Sequence, residues 1–231
     1  MLGVYIRIKS LFGPLISPLL GRRYRLPARL LELKIASSLG NPTNERIIEY
    51  PWVLKHLEGS SAKKILDVGC GPQGMLTNHL LSKGYNAYAI DINECTKLPS
   101  ERFFLRDARK TGFADSSFDT IVLLSTLEHI GTDGGQDDLG TMKELFRILK
   151  KGGLMLFTTP FAEQYAYRGQ RFSNMERLSY VTEPFQRLEE HYFVQRGNKW
   201  VEVSLAEAET STRGYEGVHS VAITAMVLKK S

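Results

Sequence analysis

Cysteine is nearly absent: Cys70 and Cys95 are the only two in 231 residues. That is too few for a disulfide-stapled scaffold, and no Cys/His set has the spacing of a tetrahedral zinc site, so no metal is expected. Both are read as reduced thiols, which places the protein in the cytoplasm. No apolar run approaches the ~20 residues that cross a bilayer. Residues 11–20 are apolar, but Pro14 and Pro18 interrupt them and no small-residue cleavage site follows, so no leader peptide is expected. Internal repeats and low-complexity segments are also missing. Charge imbalance is confined to one place. Residues 1–40 hold seven basic side chains against Glu32 alone, a net +6, while the remainder carries −1 within the total of +5. The basic character belongs to the N-terminus and says nothing of the rest.

What is present is an ordinary globular composition, 42% hydrophobic and 24% charged, in a length that suits one sizeable core. The chain divides into a basic, apolar extension over 1–43 and a folded domain over 44–231. A short helix is expected near 30–40. Another is expected over 44–58, capped by Thr43 or Asn44 and kinked or restarted at Pro51. Strands are expected at 64–68, 86–91, 102–105, 118–124 and 153–158, with helices at 73–83 and 137–150 between them, and final strands near 191–196, 200–204 and 218–228. Alternating strand and helix imply an α/β fold, a mostly parallel sheet with helices on both faces. Residues 161–186, rich in aromatic and polar side chains without periodicity, read as an insertion on the acceptor side of the site.

The most informative stretch is Ile65-Leu-Asp67-Val-Gly69-Cys70-Gly71-Pro-Gln-Gly74. An apolar strand enters a glycine turn and leaves into a helix. Glycines there admit backbone angles that a Cβ forbids and let a ligand approach the main chain. Gly69-x-Gly71-x-x-Gly74 is also a literal dinucleotide fingerprint. Asp67 weighs against that reading, because a carboxylate at the strand end repels a pyrophosphate and attracts a sulfonium or ammonium.

Four blocks in register resemble the class I S-adenosylmethionine-dependent methyltransferases, of the type 11 kind. They are Ile65–Gly71; Ala87–Ile92; Arg106-Asp107-Ala108 with Phe118–Ser125 and Glu128-His129-Ile130; and Leu149–Phe157 with Gly152-Gly153. The resemblance covers about residues 60–160. It implies a Rossmann-like, doubly wound, seven-stranded sheet with an antiparallel C-terminal strand, and S-adenosyl-L-methionine as cofactor. It places Asp67, Gly69, Cys70 and Gly71 at the turn, Asp91 on the ribose hydroxyls and Ile92 on the adenine face. Asp107 and the Ala108 amide then meet the adenine edge, and Ser125 lies beside the methionine part. The competing readings are a turn cap for Asp91 and a solvent ion pair with Arg106 or Arg109 for Asp107. Gly152-Gly153 is read as a turn before the fifth strand.

Methyl transfer from a sulfonium is an in-line displacement in which alignment does most of the work. A hydroxyl acceptor also needs a base, and His129, just past the fourth strand, is the first candidate; the alternative is a hydrogen-bonded structural histidine. Tyr165 and Tyr167 are weaker candidates, as stacking or packing groups. Asp133, Asp137 and Asp138 read as a solvated loop with a helix cap. The Asn44–Leu54 segment and the Glu128–Gly131 block are similar to methyltransferases of polysaccharide and glycolipid assembly. That implies O-methylation of a sugar, a glycan or another small hydroxylated acceptor. Nucleic acid is not expected; the basic extension is compatible with peripheral contact at an anionic, inner-membrane surface, and its alternative is a cover that packs on the sheet or on a second subunit. The alternatives are a nicotinamide-dependent (NAD) oxidoreductase using the glycine turn and a non-catalytic S-adenosylmethionine-binding partner subunit.

Overall fold

The computed structural model describes residues 44–59, 63–131 and 137–231. The basic extension with its short helix, Thr43 and Asp133 lie outside the described residues. Helix α1 (Arg46–Leu57) is followed by β1 (Lys64–Val68), α2 (Met75–Ser82), β2 (Asn86–Asp91), β3 (Phe103–Leu105) and β4 (Phe118–Leu124). A short 3₁₀ turn over Leu127–His129 follows, then α3 (Asp137–Ile148) and β5 (Leu149–Pro160). The chain then forms the hairpin β6 (Ala166–Tyr167) and β7 (Arg171–Phe172), helix α4 (Met175–Val181), β8 (Gln186–Arg196), β9 (Lys199–Val203), α5 (Leu205–Thr212) and β10 (Ala222–Lys229).

Among the described residues the main sheet has eight strands in the order β3-β2-β1-β4-β5-β10-β8-β9. The first five run parallel, and β10 is antiparallel to both β5 and β8. The expected mostly parallel sheet with an antiparallel C-terminal strand is therefore present; the resemblance implied seven strands, and the eighth is β9, the strand expected near 200–204. Strand order reverses between β1 and β4, and such a switch point opens a crevice beyond the strands' carboxyl ends.

The period-2 alternation of the strands builds the two faces. Leu66, Ile121, Leu123, Met155 and Phe157 pack on one face with Met142, Leu145 and Ile148 of α3. Ile65, Val122, Leu124 and Leu156 face the other way, against Val53 and Leu57 of α1 and Leu76 and Leu80 of α2. Helix α1 differs from expectation: it runs unbroken through Pro51. Pro51 removes one backbone hydrogen bond, and the burial of Trp52, Val53 and Leu57 on the sheet outweighs it. The cap comes from Asn44, whose Oδ1 accepts the Arg46 amide at 2.9 Å.

Two further differences have physical causes. Gly152 and Gly153 lie inside β5 and not in a turn before it. The β4–β5 register shifts between Phe118 and Thr120, and a Cβ on Gly153 would come 2.9 Å from the Asp119 carbonyl, so the pair admits an irregular strand start beside β4. The 161–186 segment is more ordered than its composition suggests. It contains β6, β7 and α4, with the Asn174 side chain capping α4 at the Arg177 amide, 2.9 Å. Helix α5, capped by Ser204, was not expected from the sequence either.

Candidate active site

The crevice beyond β1, β2 and β4 is a cavity of about 650 Å³, lined among others by Gly69, Asp91, Ile92, Asp107, Ala108, Ser125 and His129. A smaller lobe of about 240 Å³ is lined by Asp67, Cys70 and Gly71, and both lobes share Gly69 and Arg46. The folded chain thus gathers around one crevice all ten residues singled out from sequence.

The glycine turn is built by backbone geometry and one carboxylate. Gly69 has φ +74° and donates its amide to the Ile90 carbonyl at 2.9 Å, fastening the turn to β2. A Cβ there would lie 2.4 Å from Cγ2 of Thr126, whose hydroxyl is anchored on the Leu124 carbonyl. Gly69→Ala is therefore expected to lose about 1–3 kcal/mol of stability, from overpacking added to left-handed strain, as read by urea denaturation. A loss within about 0.5 kcal/mol would mean that the turn yields. Gly71 differs. Its φ is +68°, and a Cβ on it would meet nothing within 4 Å, so protein packing does not require its bareness. Open space above a bare backbone is what a close-lying ligand needs.

Asp91 closes β2. Its Oδ2 accepts the Gly71 amide at 2.9 Å and its Oδ1 the Asn93 amide at 2.9 Å. The Asn93 side chain donates to Oδ1 as well, at 3.4 Å. A carboxylate has about four acceptor positions, so two hydroxyls can bind once that long bond gives way. Asp67 is buried at the end of β1 and accepts the Thr77 hydroxyl at 2.6 Å, tying the strand to α2. Burial raises its pKa to about 6, against the opposing effect of that hydrogen bond. Burial and the neighbouring Asp67 also push the Cys70 thiol up, so it stays protonated. Asp107 follows β3 and is held by Arg109, whose Nη2 and Nε donate to its Oδ2 at 2.7 and 2.9 Å. These bonds lower its pKa. Arg109 also reaches Asp137 at 2.9 Å, so the solvent ion pair weighed for Asp107 is formed on the cavity's rim.

The floor was not legible in the sequence. Arg46 of α1 reaches across to donate to the Leu124 carbonyl at 3.1 Å and to Glu49. Glu49 is 1% exposed and also accepts the hydroxyls of Ser125, at 2.6 Å, and Thr158. Ser125 follows β4 with φ +37°, held by Glu49 and by its own amide on the Thr158 carbonyl. Burial opposes the charge of Arg46, but Glu49, Tyr50 and Glu45 keep it protonated. A cation is thereby fixed where the two lobes meet, suited to an anionic group of a ligand.

Next to Ser125, the 3₁₀ turn carries Glu128 inward and His129 toward the cavity. His129 is exposed at the cavity wall, and partial burial of its ring with the Arg46 charge lowers its pKa, which favours the neutral imidazole, the form that can accept a proton. Glu128 is 2% exposed, and burial raises its pKa from 4.5 to about 8. A raised carboxyl pKa stabilises the fold fully below the unfolded value and loses that contribution as pH rises through the folded one. His129, with its lowered pKa, opposes this only below its unfolded value near 6.5. Stability is therefore expected to fall between pH 6.5 and 8.5, by up to about 1.4 kcal/mol per pH unit, and Glu128→Gln to flatten that slope. Thermal melts across this range check it; an unchanged slope in Glu128→Gln would place its cause elsewhere.

S-adenosylmethionine would fit these groups. Asp91 would meet an adenosine's ribose, Asp107 lines the same cavity with both oxygens held by Arg109, Gly71 leaves backbone open, and the second lobe would offer Asp67 to an ammonium and Arg46 to a carboxylate. No group of three or more His, Cys, Asp or Glu side chains has metal-holding geometry among the described residues.

A family model described as a methyltransferase domain matches residues 66–157. The ubiquinone biosynthesis O-methyltransferase of Idiomarina loihiensis is 29% identical over 130 residues, which cover 52% of this chain and 49% of that protein. YqeM of Bacillus subtilis, grouped by its name with the methyltransferases, is 31% identical over 147 residues, covering 57% and 58%. The chain thus spans about half the length of the curated relatives it matches. Among solved structures, the 1,6-didemethyltoxoflavin-N1-methyltransferase of Burkholderia thailandensis, crystallised with its namesake compound and S-adenosylhomocysteine, superposes with a TM-score of 0.53. The match covers 89% of this chain and 79% of that one at 15% identity, a likeness of fold. The glycine turn, the acid closing the neighbouring strand and the strand-order reversal all fall within or beside the matched region: residues 66–157 are a methyltransferase domain, set in the fold of the class I S-adenosylmethionine-dependent enzymes.

Proposed function

We propose that this methyltransferase transfers the methyl group to a hydroxyl of a sugar, a glycan or another small hydroxylated acceptor. The observation that carries the reading is His129, a neutral imidazole on the wall of the cavity that Asp91 and Asp107 also line. S-adenosylmethionine supplies an electrophilic methyl on a sulfonium, and its departing thioether is neutral and needs no acid. The protein's tasks are then alignment and removal of the acceptor proton. Asp91, Gly71 and Arg46 would hold the cofactor. His129 takes the hydroxyl proton as the new carbon–oxygen bond forms. The O-methyltransferase named among the relatives supports a hydroxyl acceptor in kind. Exposed Tyr167, on β6 beyond the carboxyl end of β5, offers a face on which a sugar can stack, while the Tyr165 ring lies under the Arg177 guanidinium at 5.6 Å. The basic residues of 1–40 would hold the protein near an anionic membrane carrying such an acceptor.

The test is transfer of a labelled methyl group from S-adenosylmethionine into a desalted cell extract, then separated into lipid, polysaccharide, small-molecule, protein and RNA fractions. Label in the lipid, polysaccharide or small-molecule fraction, on a base-stable ether, is the expected result. Label confined to protein or RNA would discard the hydroxyl-acceptor reading.

A further inference from the structure

The turn that carries His129 is gripped from outside. Arg171, on β7, is 5% exposed, and its guanidinium donates to three backbone carbonyls. They belong to Leu127 at 3.1 Å, Ile130 at 2.5 Å and Gly131 at 3.0 Å. These carbonyls lie on both sides of His129. A three-residue 3₁₀ turn cannot satisfy its own last carbonyls, and those of Ile130 and Gly131 need an outside donor when covered. Arg171 is in turn matched by Asp138 of α3, 2% exposed, whose Oδ2 lies 4.0 Å from its Nε. Asp138 also pairs with Arg177 of α4, at 2.5 Å to Nη2 and 2.9 Å to Nε. An Arg–Asp–Arg group, with Arg171 and Asp138 buried and Arg177 half-buried, therefore joins the His129 turn, the start of α3 and the 161–186 segment.

We propose that Arg171 is a positioning residue for His129, clamping the turn so that the imidazole faces the cavity and tying its placement to the acceptor-side segment. The inference rests on the reading of His129 as the base. Arginine suits the task because its planar fork spans carbonyls on residues 127, 130 and 131 at once. A lysine ammonium is a point donor and cannot. The reach of the clamp is visible in what it borders: His129, Ile130 and Gly131 all line the cavity, and Arg171 does not.

The test compares Arg171→Lys with the native chain in three readouts: labelled methyl transfer into the fraction that takes up label, calorimetric binding of S-adenosylhomocysteine, and NMR titration of the His129 ring, assigned with His129→Gln. Arg171→Lys is expected to lower kcat by about tenfold to a hundredfold, as a misplaced group does. Its affinity for S-adenosylhomocysteine is expected to stay within about threefold, and the His129 ring to titrate at a shifted pH. An unchanged rate with an unchanged His129 titration would overturn the inference. So would a proportionate fall in rate, affinity and thermal stability with the ring titration unmoved, which is what a purely structural arginine gives. If Arg171→Lys does not fold, Asp138→Asn loosens the same clamp and is judged by the same readouts. Should the native chain not bind S-adenosylhomocysteine, the cofactor assignment fails, and the ring titration still decides whether Arg171 holds His129.

Discussion

Replacing Asp91 by Ala weakens binding of S-adenosylhomocysteine by roughly 1.5–3 kcal/mol, as expected when two charge-assisted hydrogen bonds are lost. That corresponds to a change in Kd of about tenfold to 150-fold, within calorimetric range. The effect has two parts. The carboxylate no longer accepts the ribose hydroxyls, and the amides of Gly71 and Asn93 lose the acceptor that now holds them at 2.9 Å. Asp91→Asn separates these, because it keeps the Oδ1 acceptor and loses the charge; its loss should fall between native and Asp91→Ala. Unchanged affinity in Asp91→Ala would remove the ribose role and leave the residue as a turn cap.

Glu49→Ala is expected to cost about 2–3 kcal/mol of stability, at or below the low end of the range for breaking a buried ion pair, because Arg46 keeps some contact with solvent. Arg46, half-buried at the cavity floor, would keep its charge with its main counterion gone. The hydroxyls of Ser125 and Thr158 would lose their shared acceptor. Ser125 is held at φ +37° partly by that bond, so the left-handed end of β4 would relax along with the cavity wall it forms. Glu49→Gln keeps an acceptor and should lose less. Urea denaturation with m values compared across variants checks this. A loss below about 1 kcal/mol in Glu49→Ala would mean that Arg46 finds compensation elsewhere.

The parts of the site that could be read from the sequence are those made by local chemistry. A glycine turn after an apolar strand and an acid at the next strand's end depend on neighbours within a few residues, so Gly69, Gly71 and Asp91 were visible as such. The strands at 64–68, 86–91 and 118–124 were legible for the same reason, their apolar runs matching β1, β2 and β4. Arg46, Glu49 and Arg171 were not. Arg46 meets Leu124 across 78 positions, Glu49 meets Thr158 across 109, and Arg171 meets Leu127 across 44. No periodicity encodes such contacts. Pro51 shows the converse: a strong local signal for a break was overruled by the burial of α1 on the sheet. The 161–186 segment hid α4 because a seven-residue helix spans too few turns to show a period.

The most direct measurement is calorimetric titration of the native chain with S-adenosylhomocysteine and, separately, with NAD. S-adenosylhomocysteine is expected to fill a single site, weakened in Asp91→Ala, and NAD to give no saturable heat, because Asp67 beside the turn opposes a pyrophosphate. Saturable NAD binding with no response to S-adenosylhomocysteine at millimolar concentration would contradict it.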